Sequence, residues 1–289
     1  MSNILSKTDI DLLESTAFKV REKIIKMATG GGCFIGASLS CADILVYLYK
    51  KFLNISPYIL DDPSRDYLFL SKGHDVPALY AVLSECGIID EKRLANHLKA
   101  NDFIYWHPNV MIPGVEFHSG SLGHLLSVAI GVALDCKNVH GRNRIVVILG
   151  DGELNEGSIW EACLTASAYK LDNLLVILDR NHFQANMETE KLIPLEPLED
   201  KFEAFGFAVS TINGHSFDEI SNILAQFPFE RDKPSVIIAD TVRGKGVPSL
   251  EARADRWFCN FTENEVSMLI DELYGKDNAQ LTSHTLTVR

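Results

Sequence analysis

The sequence lacks the features of membrane proteins, secreted proteins and nucleic-acid-binding proteins. Its 289 residues carry 27 basic and 39 acidic side chains, so the net charge of −12 predicts no basic surface for nucleic acid or an anionic membrane. No apolar run approaches the roughly 20 residues that span a bilayer, and the N-terminus has no signal-peptide core. We therefore predict a cytoplasmic protein without nucleic-acid or membrane partners.

Cysteine motifs and a nicotinamide fingerprint are also missing. No GxGxxG follows an early strand, which argues against a nicotinamide-binding Rossmann domain. The cysteines show no CxxC spacing, which favours reduced and mostly buried thiols. They are Cys33, Cys41, Cys86, Cys136, Cys163 and Cys259.

The most informative segment joins two apolar runs, 145–149 and 174–178, through a stretch with helical spacing at 158–170. Apolar runs of this length are typical of buried parallel strands, so the segment predicts a strand–helix–strand unit. The carboxyl ends of such strands open onto one crevice, which brings Asp151 and Asn181 together.

Asp151 and Asn181 offer hard oxygen ligands, which suit Mg²⁺ or Ca²⁺. Since Mg²⁺ completes its shell with phosphate and water, a diphosphate cofactor would fit this site. Gly150 and Gly152 allow close approach of the backbone, and a helix beginning near Glu156 would direct its N–H groups at the anion. A tight strand-to-helix turn without a ligand is equally compatible with this local sequence.

The wider pattern resembles transketolases, which transfer two-carbon ketol units. The segment GDGELNEGSIWEA, with YKLDNLLVILDRN after it, resembles their thiamine diphosphate motif. Four further segments match in the same order: RDYLFLSKGHDVPALY (65–80), WHP (106–108), PGVEFHSGSLGHLLSVAIGVAL (113–134) and ADTVRGKGV (239–247). The resemblance covers about 30–258. It implies an α/β fold, with a parallel sheet flanked by helices, that binds thiamine diphosphate and Mg²⁺ (or Ca²⁺).

The resemblance also implies roles for individual residues. Asp151 and Asn181 resemble the metal ligands, with the backbone carbonyl of Phe183 as the third. His74 and His107 match catalytic histidines that line the donor pocket. The residues implied to bind the cofactor are His74, Gly120, Ser121, Leu122, Gly123, Gly150, Asp151, Gly152, Glu153 and Asn181.

Glu156 matches a glutamate that, in the family, joins a network of buried carboxylates between two active sites. On that resemblance it is predicted as a catalytic position. The alternative is a residue in the first turn of a helix, where a negative charge is favourable to the macrodipole.

Two departures from the family concern the substrate pocket. Phe34 stands where the family has a histidine in Gly-His-Pro-Gly, and Phe258 stands where related split enzymes have one after a tryptophan. A phenyl ring neither bonds to sugar hydroxyls nor transfers protons, and each lost bond costs about 0.5–1.5 kcal/mol. We therefore expect a less hydroxylated donor or acceptor, such as a 2-oxo acid or an unusual aldehyde, and a specialised pathway rather than the pentose-phosphate reaction.

The resemblance further implies a split enzyme. Full-length transketolases carry two further domains, and the next one supplies the glutamate that protonates the aminopyrimidine of the cofactor. We expect that glutamate on a C-terminal transketolase-like partner chain, with two copies of each chain in the assembly. Small-molecule donors and acceptors would be the substrates, and the lone chain would be inactive. Two alternatives stay open: the α subunit of a 2-oxo acid dehydrogenase, and a non-catalytic scaffold.

The remaining pattern predicts one diphosphate- and metal-binding domain over 1–289. An N-terminal helix is expected over about 1–20 and a flexible tail over about 275–289. Between them we predict a surface loop at 185–199, helices at 200–205, 216–226 and 263–274, and strands at 208–212 and 235–240.

Overall fold

A computed structural model of the chain describes residues 5–283. Its helices are α1 (Lys7–Met27), α2 (Ile35–Ser40), α3 (Ala42–Tyr47), α4 (Val76–Glu85), α5 (Leu125–Asn138), α6 (Gly157–Ala168), α7 (Thr189–Leu192), α8 (Leu198–Ala204), α9 (Phe217–Leu224) and α10 (Glu263–Leu273). Its strands are β1 (Tyr67–Leu70), β2 (Ile145–Gly150), β3 (Leu174–Arg180), β4 (Phe183–Gln184), β5 (Met187–Glu188), β6 (Ala208–Asn213) and β7 (Ser235–Asp240).

Five of these strands form one parallel sheet in the order β1-β2-β3-β7-β6. The register sets Gly150 beside Asp179, and Arg180 beside Asp240. The predicted unit of β2, α6 and β3 is therefore confirmed, and the carboxyl ends of its strands lie at one edge of the sheet.

Helices cover both faces of the sheet. Since successive side chains of a strand point to opposite faces, each strand contributes to two cores. Val146 and Ile148 of β2 pack into a core with α1, α2, α3, α4, α9 and α10. Ile145, Val147 and Leu149 pack into a second core with α5, α6 and α8. Burial on both sides explains why the strands read as uninterrupted apolar runs.

The first helix lies further along the chain than the expected range of about 1–20. It begins at Lys7 and ends at Met27. Ser6 caps it: the Asp9 N–H donates to Ser6 Oγ at 3.1 Å, and the Asp9 carboxylate accepts from the Ser6 backbone. Residues 1–4 lie outside the described chain.

The segment predicted as a surface loop at 185–199 contains regular structure. β4 and β5 form an antiparallel ribbon in which Phe183 pairs with Glu188. Ala185, in the two-residue connection, has φ +48°, the left-handed conformation that tight hairpin turns use. α7 and the start of α8 occupy most of the rest, so the expectation of an irregular loop was wrong for these residues.

The described part of the predicted flexible tail packs against α10. The Glu265 carboxylate accepts hydrogen bonds from the backbone N–H groups of Thr262, Thr282 and Ser283, at 2.9, 2.7 and 2.8 Å. One carboxylate thus caps the helix and contacts the returning chain at Thr282 and Ser283, while flexibility of the tail stays a prediction. Residues 284–289 lie outside the described chain.

Across residues 5–283, no helix combines the length and the apolar character that crossing a bilayer requires.

We expect Glu265→Ala to lower the free energy of unfolding by about 1–3 kcal/mol, because it leaves several backbone N–H groups without their acceptor. Urea unfolding measures the change. Glu263→Ala, at the exposed start of the same helix, is the matched control. An equal effect of the two substitutions would contradict the anchoring role.

The difference between wild type and Glu265→Ala should depend on pH. Burial opposes ionisation of Glu265, but hydrogen bonds from Ser283, Thr262 and Thr282 outweigh it and hold the pKa well below its usual range. A depressed folded-state pKa contributes stability above the unfolded value of about 4.3 and loses it as the pH falls further. The difference should therefore be full at pH 7 and shrink on acidification below pH 4.

Candidate functional site

A cleft of about 350 Å³ opens at the carboxyl ends of the central strands. One end is polar, with Asp151, Asn181 and Arg243 in its lining. The other end is aromatic and is lined by Phe34 and Trp257 together with two histidines. Ligand pockets of doubly wound sheets lie at this edge, which matches the crevice expected from the sequence.

Asp151 follows β2 and is 1% exposed. Its Oδ2 accepts a hydrogen bond from Arg180 Nη1 at 3.0 Å, and its Oδ1 accepts one from the Gly152 N–H at 3.0 Å. Burial raises the pKa of Asp151, while the Arg180 guanidinium opposes the shift. The carboxylate is therefore held at the cleft wall by groups on both sides.

Arg180 was missed by the sequence analysis. Its side chain is 4% exposed and pairs with Glu190 and Glu196 in addition to Asp151. The available signal was its position at the end of a fully apolar run, because an arginine buried there needs acidic partners. The sequence alone does not say which carboxylates those are.

Asn181 and Phe183 line the same wall of the cleft as Asp151. The Phe183 N–H donates to Asn181 Oδ1 at 3.1 Å, which forms a turn across the two residues. The structure thus brings together all three residues predicted to supply metal ligands, and their carboxylate, amide and carbonyl oxygens are donors that Mg²⁺ prefers.

The backbone beside Asp151 forms a 3₁₀ turn over Asp151–Asn155, directly after β2. Gly150, Gly152 and Glu153, at the start of this turn, contribute to the cleft lining. α6 begins at Gly157, next to the expected start near Glu156. In the described chain its first residues are not among those that line the cleft, and the direction of its N–H groups towards an anion stays a prediction.

Glu153 lies under the cleft and connects three segments. Its carboxylate accepts from Ser71 Oγ at 2.5 Å, from the Gly123 N–H at 2.9 Å and from the Gly150 N–H at 3.4 Å. It is 1% exposed, and burial raises its pKa against these hydrogen bonds. Glu153 therefore fixes the loop that carries Leu122 to the end of β2.

The loop over 120–123 contributes unequally to the site. Gly120 and Leu122 line the cleft, whereas Ser121 is exposed and Gly123 is buried beneath it. A Cβ on Gly120 would overlap His107 Cδ2, and the φ of this glycine is +129°. A side chain is therefore impossible at this position while the imidazole keeps its place.

Aromatic rings form the far end of the cleft around Phe34. Its ring centroid lies 5.4 Å from that of His74, 6.3 Å from that of His107 and 5.1 Å from that of Trp257. Burial lowers the pKa of His74 and that of His107, so both imidazoles are neutral at pH 7. A neutral imidazole both accepts and donates a hydrogen bond, so each ring can hydrogen-bond to a substrate hydroxyl and accept its proton.

Phe258 contacts Phe34 but is not among the residues that line the cleft. Its ring centroid lies 5.0 Å from that of Phe34 and 5.9 Å from that of Trp106. Trp257, which the sequence analysis did not single out, contributes to the lining instead. Its contact with Phe34 places Phe258 next to the lining, and its role in the substrate pocket stays a prediction.

The cleft also contains two buried cations that the sequence analysis missed. Lys72 lies 2.6 Å from Asp75 and also pairs with Asp179. Burial disfavours its charge, but the two carboxylates outweigh this and raise its pKa. With Cys41, these carboxylates form a cluster of potential metal-binding groups. The Lys72 ammonium already neutralises that cluster.

Arg243 is the second cation. It is 2% exposed, its Nη1 donates to the Ala185 carbonyl at 2.5 Å, and its buried Nε has no hydrogen-bond partner. Burial lowers its pKa to about 10. Within residues 5–283 it makes no ion pair, so its charge is available to an anion in the cleft.

Glu156 does not line the cleft. It is exposed at the start of α6 and makes no side-chain capping bond. This position agrees with the helix-start alternative. Its participation in a carboxylate network between two protomers stays a prediction.

The comparisons with known proteins agree with this geometry. Residues 22–283 match the family model described as transketolase, thiamine diphosphate binding domain. The chain is 38% identical over 267 residues to one of the subunits of the apulose-4-phosphate transketolase of Actinobacillus succinogenes, covering 91% of this chain and 96% of that protein. It is also 38% identical over 253 residues to a 6-deoxy-6-sulfo-D-fructose transketolase subunit of Clostridium sp., covering 87% and 91%.

The comparison with solved structures also indicates a transketolase. Transketolase from Campylobacter jejuni superposes with a TM-score of 0.83 at 30% identity, covering 94% of this chain and 44% of that one. The transketolase branch is therefore confirmed over the 2-oxo acid dehydrogenase alternative. Since the family model matches residues 22–283, which include every residue that lines the cleft, the chain belongs to the transketolase family and contains its thiamine diphosphate-binding domain.

Proposed function

We propose that this chain is the thiamine diphosphate- and Mg²⁺-binding subunit of a two-chain, transketolase-like transferase of the cytoplasm. The enzyme transfers a two-carbon ketol or acyl unit from a ketose or 2-oxo acid donor to an aldehyde acceptor. The observation that carries the proposal is the placement of Asp151, Asn181 and Phe183 in the same cleft as His74 and His107.

The residues of the cleft fit this cofactor. Asp151 and Asn181 would hold the metal together with the Phe183 carbonyl, and the turn at Gly152 would face the diphosphate. Within residues 5–283, Arg243 pairs with no carboxylate, and a buried cation of this kind suits an anionic ligand. When bound, thiamine diphosphate supplies the electron sink for the transferred carbon.

The histidines would act on the substrate. Both are neutral at pH 7 because burial lowers their pKa, so each can accept a proton from a hydroxyl group or hydrogen-bond to it. Both line the cleft beside Phe34, so they are placed to reach a substrate bound there.

The relatives support a partner chain. The Actinobacillus protein is named as one subunit of its enzyme, and the alignment covers nearly all of it, whereas this chain matches less than half of the Campylobacter transketolase. We infer that a C-terminal transketolase-like subunit supplies the catalytic glutamate, in an assembly with two copies of each chain.

The aromatic wall supports a specialised substrate. Phe34 and Trp257 offer apolar surface where a polyhydroxylated sugar would need hydrogen-bonding partners. The names of both relatives refer to substrates outside the ordinary pentose phosphates, apulose 4-phosphate and 6-deoxy-6-sulfofructose.

Asp151→Ala should abolish Mg²⁺-dependent binding of thiamine diphosphate, because it removes the carboxylate ligand. Calorimetric titration of the assembled complex with cofactor, with and without Mg²⁺, measures the loss. Asp218→Ala, at an exposed position on α9, should bind like wild type. Retained binding in Asp151→Ala would refute this placement of the metal.

Native mass spectrometry of the tagged chain, isolated from its host with Mg²⁺ and thiamine diphosphate present, should show a complex with a second polypeptide and cofactor. The expected composition is two copies of each chain. Isolation of the chain alone and without cofactor would favour a scaffold role instead.

Phe34→His should raise kcat/KM for xylulose 5-phosphate about 2- to 10-fold relative to hydroxypyruvate, the gain expected from one added hydrogen bond of about 0.5–1.5 kcal/mol. Phe258→His is the matched control and should change this ratio less, because Phe258 is not among the residues that line the cleft. The idea fails if Phe34→His brings no gain. It also fails if the wild-type complex converts xylulose 5-phosphate and ribose 5-phosphate as well as an ordinary transketolase.

A further inference from the structure

The amide of Asn181 has two chemically different ends, and its oxygen alone can bind a metal ion. Its Nδ2 donates to Asp179 Oδ2 at 3.2 Å and to Ser40 Oγ at 3.3 Å. Its Oδ1 accepts from the Phe183 N–H at 3.1 Å. All of these contacts agree on a single orientation of the amide.

Asp179 is well placed to impose that orientation. It is 0% exposed, and its Oδ2 also accepts from Ser40 Oγ at 2.6 Å and from Lys72 Nζ. Its Oδ1 accepts from Thr241 Oγ1. An ionised carboxylate accepts hydrogen bonds and donates none, so the end of the Asn181 amide that faces it has to be the NH₂ group.

The reversed amide would be unfavourable on both sides. Its oxygen would face the Asp179 carboxylate, and its NH₂ group would face the Phe183 N–H. Two acceptors would then meet at one end and two donors at the other. The cost is high because Asp179 and Asn181 are both buried.

We propose that Asp179 is a positioning residue that fixes the amide of Asn181 so that its oxygen is presented to a divalent metal ion in the cleft. The inference rests on the proposed function. Asp179 itself is not a ligand in this arrangement, because it does not line the cleft and its carboxylate is paired with the buried Lys72 ammonium. Groups that orient metal ligands in this way contribute about 10- to 100-fold to metal affinity.

The test is a titration with Mn²⁺, followed by electron paramagnetic resonance, on the complex isolated from the host with saturating thiamine diphosphate. Asp179→Leu removes the acceptor at similar volume, and the dissociation constant for Mn²⁺ should rise about 10- to 100-fold. Thr241→Val is the matched control. It removes a partner of the other carboxylate oxygen and should leave the constant within about twofold of wild type, even if the melting temperature falls.

A second substitution distinguishes the loss of the Asn181 amide orientation from a general disruption of the metal site. An aspartate presents an oxygen in every orientation, so Asp179→Leu combined with Asn181→Asp should recover at least about tenfold of the lost affinity. If Asp179→Leu does not fold, Ser40→Ala takes its place. It removes the other acceptor of the Asn181 amide and should weaken Mn²⁺ binding about 2- to 5-fold, an effect of a few tenths to 1 kcal/mol.

Three results would overturn the inference: wild-type affinity in the variant that folds, an equal loss in Thr241→Val, or no recovery in the double variant. Failure of the wild-type complex to bind Mn²⁺ in a cofactor-dependent way would instead overturn the proposed function, and this inference with it. The two failures are therefore distinguishable.

Discussion

The buried ion pairs of Lys72 connect the segments at the carboxyl ends of the strands, where the cleft opens. Its ammonium lies just after β1 and pairs with Asp75 on the next turn and with Asp179 at the end of β3. Removing charges from water is costly, and loss of one partner from such a group typically costs about 3–5 kcal/mol. The Asp179 carboxylate also accepts hydrogen bonds from Ser40 and Thr241. One cluster therefore connects α2, the end of β1, β3 and the segment after β7. Lys72 also lines the cleft, so the cluster reaches its surface.

Part of this architecture could be predicted from the sequence, because buried segments consist mainly of apolar residues. Strands covered on both faces appear as continuous apolar runs, which identified β2 and β3 nearly to the residue. The position of Asp151 and Asn181 followed from topology, since both come directly after neighbouring parallel strands. The turn at Gly150 and Gly152 could also be predicted, because glycine allows the backbone to come close to a phosphate.

The parts that escaped prediction depend on contacts distant in sequence. Nothing near Lys72 indicates that it pairs with Asp179, 107 positions away. The orphaned Nε of Arg243 likewise becomes visible only in three dimensions. The sequence also did not indicate that Trp257, rather than Phe258, lines the cleft. Neighbouring side chains leave the backbone in different directions, and a motif does not tell which of them enters the cleft. The hairpin of β4 and β5 depended on a left-handed Ala185, a conformation that alanine rarely adopts.

The close approach of Gly120 and His107 constrains how this site can change in evolution. Any side chain at position 120 would overlap the imidazole ring, so the two positions cannot vary independently. A relative that carries a larger residue at 120 must have moved or lost the histidine. Among aligned sequences, the identity of residue 120 is therefore an indirect record of whether the second imidazole of the cleft has been kept.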